Sequence, residues 1–154
     1  MPKCLTKYHG EMDYDEQAAL HLKRGLFGFE TETRFLPIDQ PALRPLVFLQ
    51  SLATPELCFI SVPVFVVDQE YCLTLNPEDL AAIGLPSDRP VQIGTDVLCL
   101  AIVCIQQGGP TTANLLAPVV VNRQNSEAIQ AVSLNRKYTH QVPLPAPCEE
   151  HACS

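Results

Sequence analysis

The side chains best suited to chemistry in this chain lie near its C-terminus, where Cys148, His151 and Cys153 fall within "PAPCEEHACS". Thiolate and imidazole are zinc ligands, but a structural zinc site takes four donors. This run offers three, without the paired C-x-x-C spacing. Cys4 or His9 could complete the set through the fold, and nothing in the pattern demands it. Residues 145–154 therefore read as a mobile, thiol-bearing tail. Cys99 and Cys104 are five positions apart on one apolar run. On a strand that spacing puts them on opposite faces, so they cannot hold one ion and read as core filler.

Nucleophilic chemistry has as little support. There is no G-x-S-x-G, and His9, His21, His140 and His151 sit in separate local contexts without a companion nucleophile. "QQGGP" (106–110) has two glycines but no following Lys-Ser/Thr, so it reads as a hairpin turn and not a phosphate loop. Asp13, Asp15 and Glu16 read as a solvated strand end and turn. No catalytic constellation emerges, and neither metal nor cofactor is expected.

The elements that must position any site are short. The chain has 154 residues, 47% hydrophobic and 18% charged, which suits one domain able to bury a core without staples. Fourteen prolines argue against long helices. The formal charge is −7 with only ten Lys and Arg, which excludes the basic footprint of a direct nucleic-acid binder and favours a protein partner. No apolar leader opens the chain, no run approaches the roughly 18 residues of a membrane span, and seven cysteines are odd in number. A soluble cytoplasmic protein with reduced thiols is expected.

Alternation marks "GEMDYD" (10–15) and "YCLTLN" (71–76) as half-buried strands, and His9-Gly10 as a tight hairpin turn. "LVFLQSL" (46–52), "CFISVPVFVV" (58–67) and "VLCLAIVCI" (97–105) are denser. The last is apolar on both faces, which predicts a central or enclosed strand. Pro63 predicts a bend, a bulge or an edge within 58–67. One helix is signposted near 77–83: Asn76 caps, Pro77 opens, Glu78 and Asp79 face the dipole, Leu80 and Ile83 share a face, and Gly84 stops it. The fold class expected is all-β, a compact antiparallel β-barrel-like single domain with that one short helix. The segment 84–96 reads as a long surface loop.

Two stretches stay open between structure and binding. In "RGLFGFE" (24–30) the phenylalanines plug the barrel end, or the glycines let a partner approach the backbone. In "TTANLLAPVVVN" (111–122) Pro118 separates a turn-like "NLLA" from a new strand. There Asn114 and Asn122 pin a bend and a strand end, or contribute to a surface that a partner reads.

"GFE" at 28–30, "LQSLATPEL" at 49–57, "TANLLAPVVVN" at 112–122, Tyr138 and "PL" at 143–144 occur in the order and spacing of the FliW family of flagellar assembly factors. The chain resembles that family over about residues 3–144, and "NPEDLAAIGL" fits its pattern as well. The resemblance implies a FliW-like β-barrel domain over 1–144 and a non-enzymatic regulator. Such a protein binds newly made flagellin and, in competition, the CsrA-type translational regulator, so that flagellin synthesis is coupled to flagellar assembly. It implies a monomer when unbound, with no direct contact to nucleic acid or membrane. Partner-binding residues expected are Leu49, Gln50, Ser51, Asn114, Leu115, Leu116 and Asn122. Departures from the family are Phe27 where a proline is usual, Phe48 where a Trp is usual, and "YTHQVPL" where an Arg-His pair precedes Pro-Leu. The alternative from another class is a small split-barrel enzyme or cofactor-binding domain with a ligand in its mouth.

Overall fold

The computed structural model describes residues 2–135 and 137–144, so the expected Cys148/His151/Cys153 tail lies outside the described residues. The strands β1 (Lys3–Thr6) and β2 (Gly10–Asp13) form a hairpin with Gly10 at a φ of 72°. Thr6 Oγ1 clamps its turn, donating to the Gly10 carbonyl at 2.8 Å and accepting from the His9 amide at 2.8 Å. A three-residue loop closed by a left-handed glycine matches the twist of antiparallel strands.

Then follow β3 (Leu20–Leu22), β4 (Arg34–Asp39), β5 (Val47–Ser51), β6 (Cys58–Pro63), helix α1 (Val64–Val67), helix α2 (Pro77–Ala82), β7 (Val97–Cys104), β8 (Thr112–Ala113), β9 (Val119–Asn122), β10 (Glu127–Gln130) and β11 (Val142–Pro143). Hydrogen bonding runs β7-β6-β5-β4-β3-β10-β9, and β9 pairs back onto β7, closing a seven-stranded barrel. Every seam is antiparallel except β3–β10, where His21 and Leu22 run parallel to Glu127 and Ala128. The far end of β7 leaves the ring and carries β8 and β11 as a short flap.

The barrel lumen is filled. Leu20, Leu22, Phe35, Leu49, Leu100, Val119, Val121 and Ala128, with half-buried Phe59, bring a side chain from each of the seven strands into one cluster. The opposite parity of β7 (Val97, Cys99, Ala101, Val103) feeds a second core outside the barrel, which Tyr71, Ile83, Leu115 and Tyr138 cover. A third, smaller cluster lies beneath the hairpin, where Cys4 and Tyr14 meet Leu36 and Ile38 of β4. The double-sided apolarity of 97–105 thus reflects one face in the lumen and one under an outer layer.

Helix α2 forms as its sequence signals. Asn76 Oδ1 accepts from the Asp79 amide at 2.7 Å, Pro77 opens the helix, and Gly84 follows at a φ of 77°. Three expectations are corrected. Residues 71–76 join no ladder: Tyr71 is buried and Leu73 and Leu75 half-buried as the alternation implied, but the Cys72 amide donates to Tyr138 Oη at 2.8 Å. Closure of β7 onto β9 leaves no edge for them, so they cap the outer core. The run 58–67 ends as a strand at Pro63, and Val64–Val67 turn into a second short helix. Cys104 is exposed and is not core filler, whereas Cys99 is buried.

Burial pushes the Cys99 thiol up to about 12, while Cys72 and Cys104 face solvent. Reactivity follows the accessible thiolate. Brief iodoacetamide treatment of the native chain at pH 8 should therefore modify Cys72 and Cys104 about 100-fold faster than Cys99. Peptide mass mapping reads the difference, and urea should abolish it.

Candidate functional site

The residues expected to bind a partner take unequal places. Leu49 lies in the lumen and Gln50 is fully buried. The Gln50 Nε2 sits 3.0–3.4 Å from the carbonyls of Ser51, Thr54, Pro55 and Leu57, gathering the 52–57 turn around itself. Ser51 is buried too: its Oγ donates to Glu32 Oε1 at 2.5 Å and accepts from the Thr54 amide at 2.9 Å. The triplet folds a turn from within, and its side chains are not a surface.

Asn122, 2% exposed, donates through Nδ2 to the Ile83 carbonyl at 2.6 Å and accepts from the Gln124 amide at 2.9 Å. It therefore ties the end of α2 to the β9–β10 turn. Asn114 Oδ1 accepts from the Ala117 amide at 2.9 Å and sets the bend before Pro118. Leu115 is buried in the outer core, and its carbonyl accepts from Tyr71 Oη at 2.9 Å. Leu116 and Asn114 are the half-exposed members of the set. The question left open for the two asparagines resolves first as structure, since each satisfies backbone groups that would otherwise be orphaned.

A face that spacing did not reveal assembles beside them. Leu26 and Phe29 exchange backbone hydrogen bonds at 3.3 and 2.7 Å, leaving Phe27 and Gly28 at the tip of a tight turn. Leu26, not the phenylalanines, plugs the core: Phe27 is 55% exposed, and Phe29 rests edge-on against Phe59 with centroids 5.1 Å apart. The glycine that permits this serves the loop itself. Gly25 has a φ of 64°, and a Cβ there would lie 2.5 Å from the Phe29 carbonyl oxygen.

Gln130 then joins the loop to the Asn114 segment. Its Oε1 accepts from the Phe27 amide at 2.8 Å, and its Nε2 donates to the Ala117 carbonyl at 3.0 Å. Beyond β10 the chain continues beside residues 116–118, with the Ala131 amide on the Pro118 carbonyl and the Ser133 amide on the Leu116 carbonyl. Exposed Val132 and Leu134 thereby emerge beside Leu116. Phe27, Val132 and Leu134 are exposed and Leu116 half-exposed, and the hydrogen bonds of Gln130, Ala131 and Ser133 tie together the segments that carry them. Exposed apolar side chains on segments fixed in this way suit an interface anchor. The neighbouring cations are committed: Arg24 to Asp79 at 2.8 Å and Lys23 to Glu127 at 3.2 Å.

The residues weighed for chemistry stay apart. His9 Nδ1 meets Gln40 Nε2 at 2.7 Å, and His21 Nδ1 meets Glu127 Oε2 at 3.0 Å. Burial works against ionisation of Glu127, but hydrogen bonds from His21 and Lys23 prevail and hold its carboxyl below the usual range. Among the described residues no three His, Cys, Asp or Glu side chains converge as a metal site. Cys4 is buried under the hairpin, away from any such role.

Replacing Asn122 by Ala orphans the Gln124 amide and leaves the Ile83 carbonyl only the longer bond from Asn125 Nδ2 at 3.3 Å, which should cost about 1–3 kcal/mol. Asn114→Ala, with one bond lost at a half-exposed site, should cost about 1 kcal/mol. Urea denaturation of the two variants measures both, and an Asn122→Ala chain as stable as the parent would show that water replaces the buried bonds.

The comparisons agree with this geometry. The FliW protein family model matches residues 3–144. The flagellar assembly factor FliW of Bacillus licheniformis is 33% identical over 140 residues, covering 90% of this chain and 94% of the relative. That of Treponema pallidum is 35% identical over 126 residues, covering 81% and 79%. A crystal structure of the flagellar assembly factor FliW superposes with a TM-score of 0.81 at 27% identity, covering 95% of this chain and 99% of that one. A closed barrel with a filled lumen, a matching pattern over nearly its whole length and relatives of similar size leave one assignment: the chain belongs to the FliW family.

Proposed function

We propose that this protein is a flagellar assembly factor that works by protein–protein contact and catalyses nothing. It binds flagellin and, in competition, a CsrA-type translational regulator, so that flagellin synthesis follows the demand of assembly. The family membership and the relatives' name supply the flagellar context. The observation that carries the reading is the pre-positioned apolar face of Phe27, Leu116, Val132 and Leu134. An exposed aromatic fixed on both sides by hydrogen bonds gives up little entropy when a partner covers it.

Of the residues expected from sequence, Asn114 and Leu116 are offered to the partner. Leu49, Gln50, Ser51, Leu115 and Asn122 serve the fold instead. Residues 1–144 are the functional domain on this reading, and the protein acts in the cytoplasm as a monomer until bound. Among the described residues, no helix is long and apolar enough to cross a membrane. The excess of acid, −7 overall, favours encounter with a basic partner. The competing reading, a split barrel with a cofactor in its mouth, needs room in the barrel. Here Phe35, Leu49 and Leu100 occupy the lumen.

Calorimetric titration with flagellin and with the CsrA-type regulator of the same cell, followed by competition, tests the proposal. Both should bind and each should displace the other. Phe27→Ala should weaken at least one complex about tenfold, or about 1.4 kcal/mol, because an exposed anchor is lost without a cavity. Its melting midpoint should stay within about 2 °C of the parent. Failure of the folded chain to bind either partner overturns the reading.

A further inference from the structure

The segment 72–75, which pairs in no ladder, borders an open groove. Residues 72–75 run without turn or bend beside an open cavity of about 510 Å³, whose other walls are Pro77 and Leu80 of α2 and the loop 87–91. Leu73, Leu75, Leu80 and Val91 give it an apolar floor. On one side the segment is tied down, with the Cys72 amide on Tyr138 Oη at 2.8 Å and the Leu134 amide on the Thr74 carbonyl at 3.4 Å. Among the described residues, the amides of Leu73, Thr74 and Leu75 donate to nothing, and the Leu73 and Leu75 carbonyls accept nothing. A run of unpaired backbone groups beside an apolar trough is a template for an added strand.

The opposite wall is rigid and its charge is settled. Arg89 grips Asp96 through two nitrogens at 3.1 and 3.2 Å, and Asp96 also accepts from the Gln92 amide at 2.9 Å. These bonds lower the Asp96 carboxyl below its usual range, the backbone amide of Gln92 contributing most and Arg89 next. Among the described residues lining the groove the one cation, Arg89, is therefore neutralised. Asp88 also lines the groove and enters no ion pair among the described residues. Exposed Glu70 and Glu78 flank the two ends of the segment. Among the described residues, the groove thus joins an apolar floor, backbone groups of Leu73 and Leu75 without partners, and acidic side chains outside any ion pair.

We propose that this groove binds an extended peptide with alternating apolar and basic side chains, added as a strand along Leu73–Leu75. A three-residue edge is about 10 Å long, and side chains two apart on the peptide share one face. Its apolar side chains face Leu73, Leu75, Leu80 and Val91, and a basic side chain on the rim faces Asp88. Charge selects this occupant over a second copy of the chain, because two copies would bring the same acidic rims together at −7 each. The site is defined without reference to flagellin or the translational regulator, and its test uses neither.

The test is a titration of the ¹⁵N-labelled full chain with a capped hexapeptide of alternating valine and lysine. Three further peptides serve as controls: the valine–glutamate analogue, and two counterparts N-methylated at odd or at even positions. The valine–lysine peptide should shift the amide signals of Leu73, Thr74, Leu75 and residues 88–91 saturably below about 1 mM. One N-methylated peptide and the glutamate analogue should bind at least about tenfold more weakly, since each removes one element of recognition. Asp88→Lys, an exposed change, should invert the preference between lysine and glutamate peptides. The proposal falls if these signals do not move, or if both N-methylated peptides bind like the parent. It also falls if the same signals shift with protein concentration alone, which would assign the groove to a second copy.

Discussion

The fold depends on β7 having no side chain between Cys99 and Val103 that is exposed to water. Its even-numbered residues Leu100 and Ile102 pack in the lumen, and its odd-numbered residues Val97 to Val103 pack outward. A barrel alone would bury the first set and expose the second. The outer layer therefore follows from the strand's composition: Tyr71, Ile83, Leu115 and Tyr138 belong to segments that are not in the barrel and exist to cover it. The stacked Tyr71–Tyr138 pair, with centroids 4.4 Å apart, joins two of these segments over Cys99.

How much of this could be read from the sequence divides by range. Local signals carried through: the Asn76-Pro77 helix start, the Gly84 stop, the His9-Gly10 turn and the buried β7 run all rest on neighbours within a few residues. Which reading of 24–30 holds is not legible locally, because the Phe27 backbone is held by Gln130, about a hundred residues away. Residues 71–76 alternate like a strand because they lie on a core, and alternation reports burial rather than pairing. Leu49, Gln50 and Ser51 belong to a distinctive motif, and the reason for that motif is internal. A glutamine that satisfies a whole turn from inside leaves the same trace in a sequence as one that contacts a partner.

Three buried amide side chains do comparable work. Gln50 gathers the 52–57 turn, Asn122 joins α2 to the β9–β10 turn, and Gln130 joins the Phe27 loop to residue 117. Each lies at the end of a barrel strand, where the ladder stops and backbone groups would be left without partners. Amides suit the task because they carry no charge that burial would penalise, and Asn122 and Gln130 donate and accept at once. The irregular segments of this protein are accordingly specified in detail, and a loop specified from beneath can present apolar side chains to water without collapsing onto the core.

The charges make the final distinction among the surfaces. Lys3, Lys23, Arg24, Arg34, Arg44 and Arg89 each engage a carboxylate, six of the ten Lys and Arg in the chain. Arg123 is drawn to the Gly94 carbonyl. Most of these pairs are exposed, screened by solvent and salt, and add little stability. Their larger effect is on what an approaching molecule senses. With the cations matched locally, the field is dominated by acids such as Asp88, Glu70 and Glu78 that enter no ion pair among the described residues. Such a field speeds the encounter of a basic partner within roughly a Debye length, about 8 Å at physiological salt, and leaves affinity to apolar contact. The groove beside Leu73–Leu75 joins both in one place, whereas at the Phe27 face the nearby cations Lys23 and Arg24 are already paired. A partner held there depends on shape and apolar burial, and salt should affect the two surfaces differently for that reason.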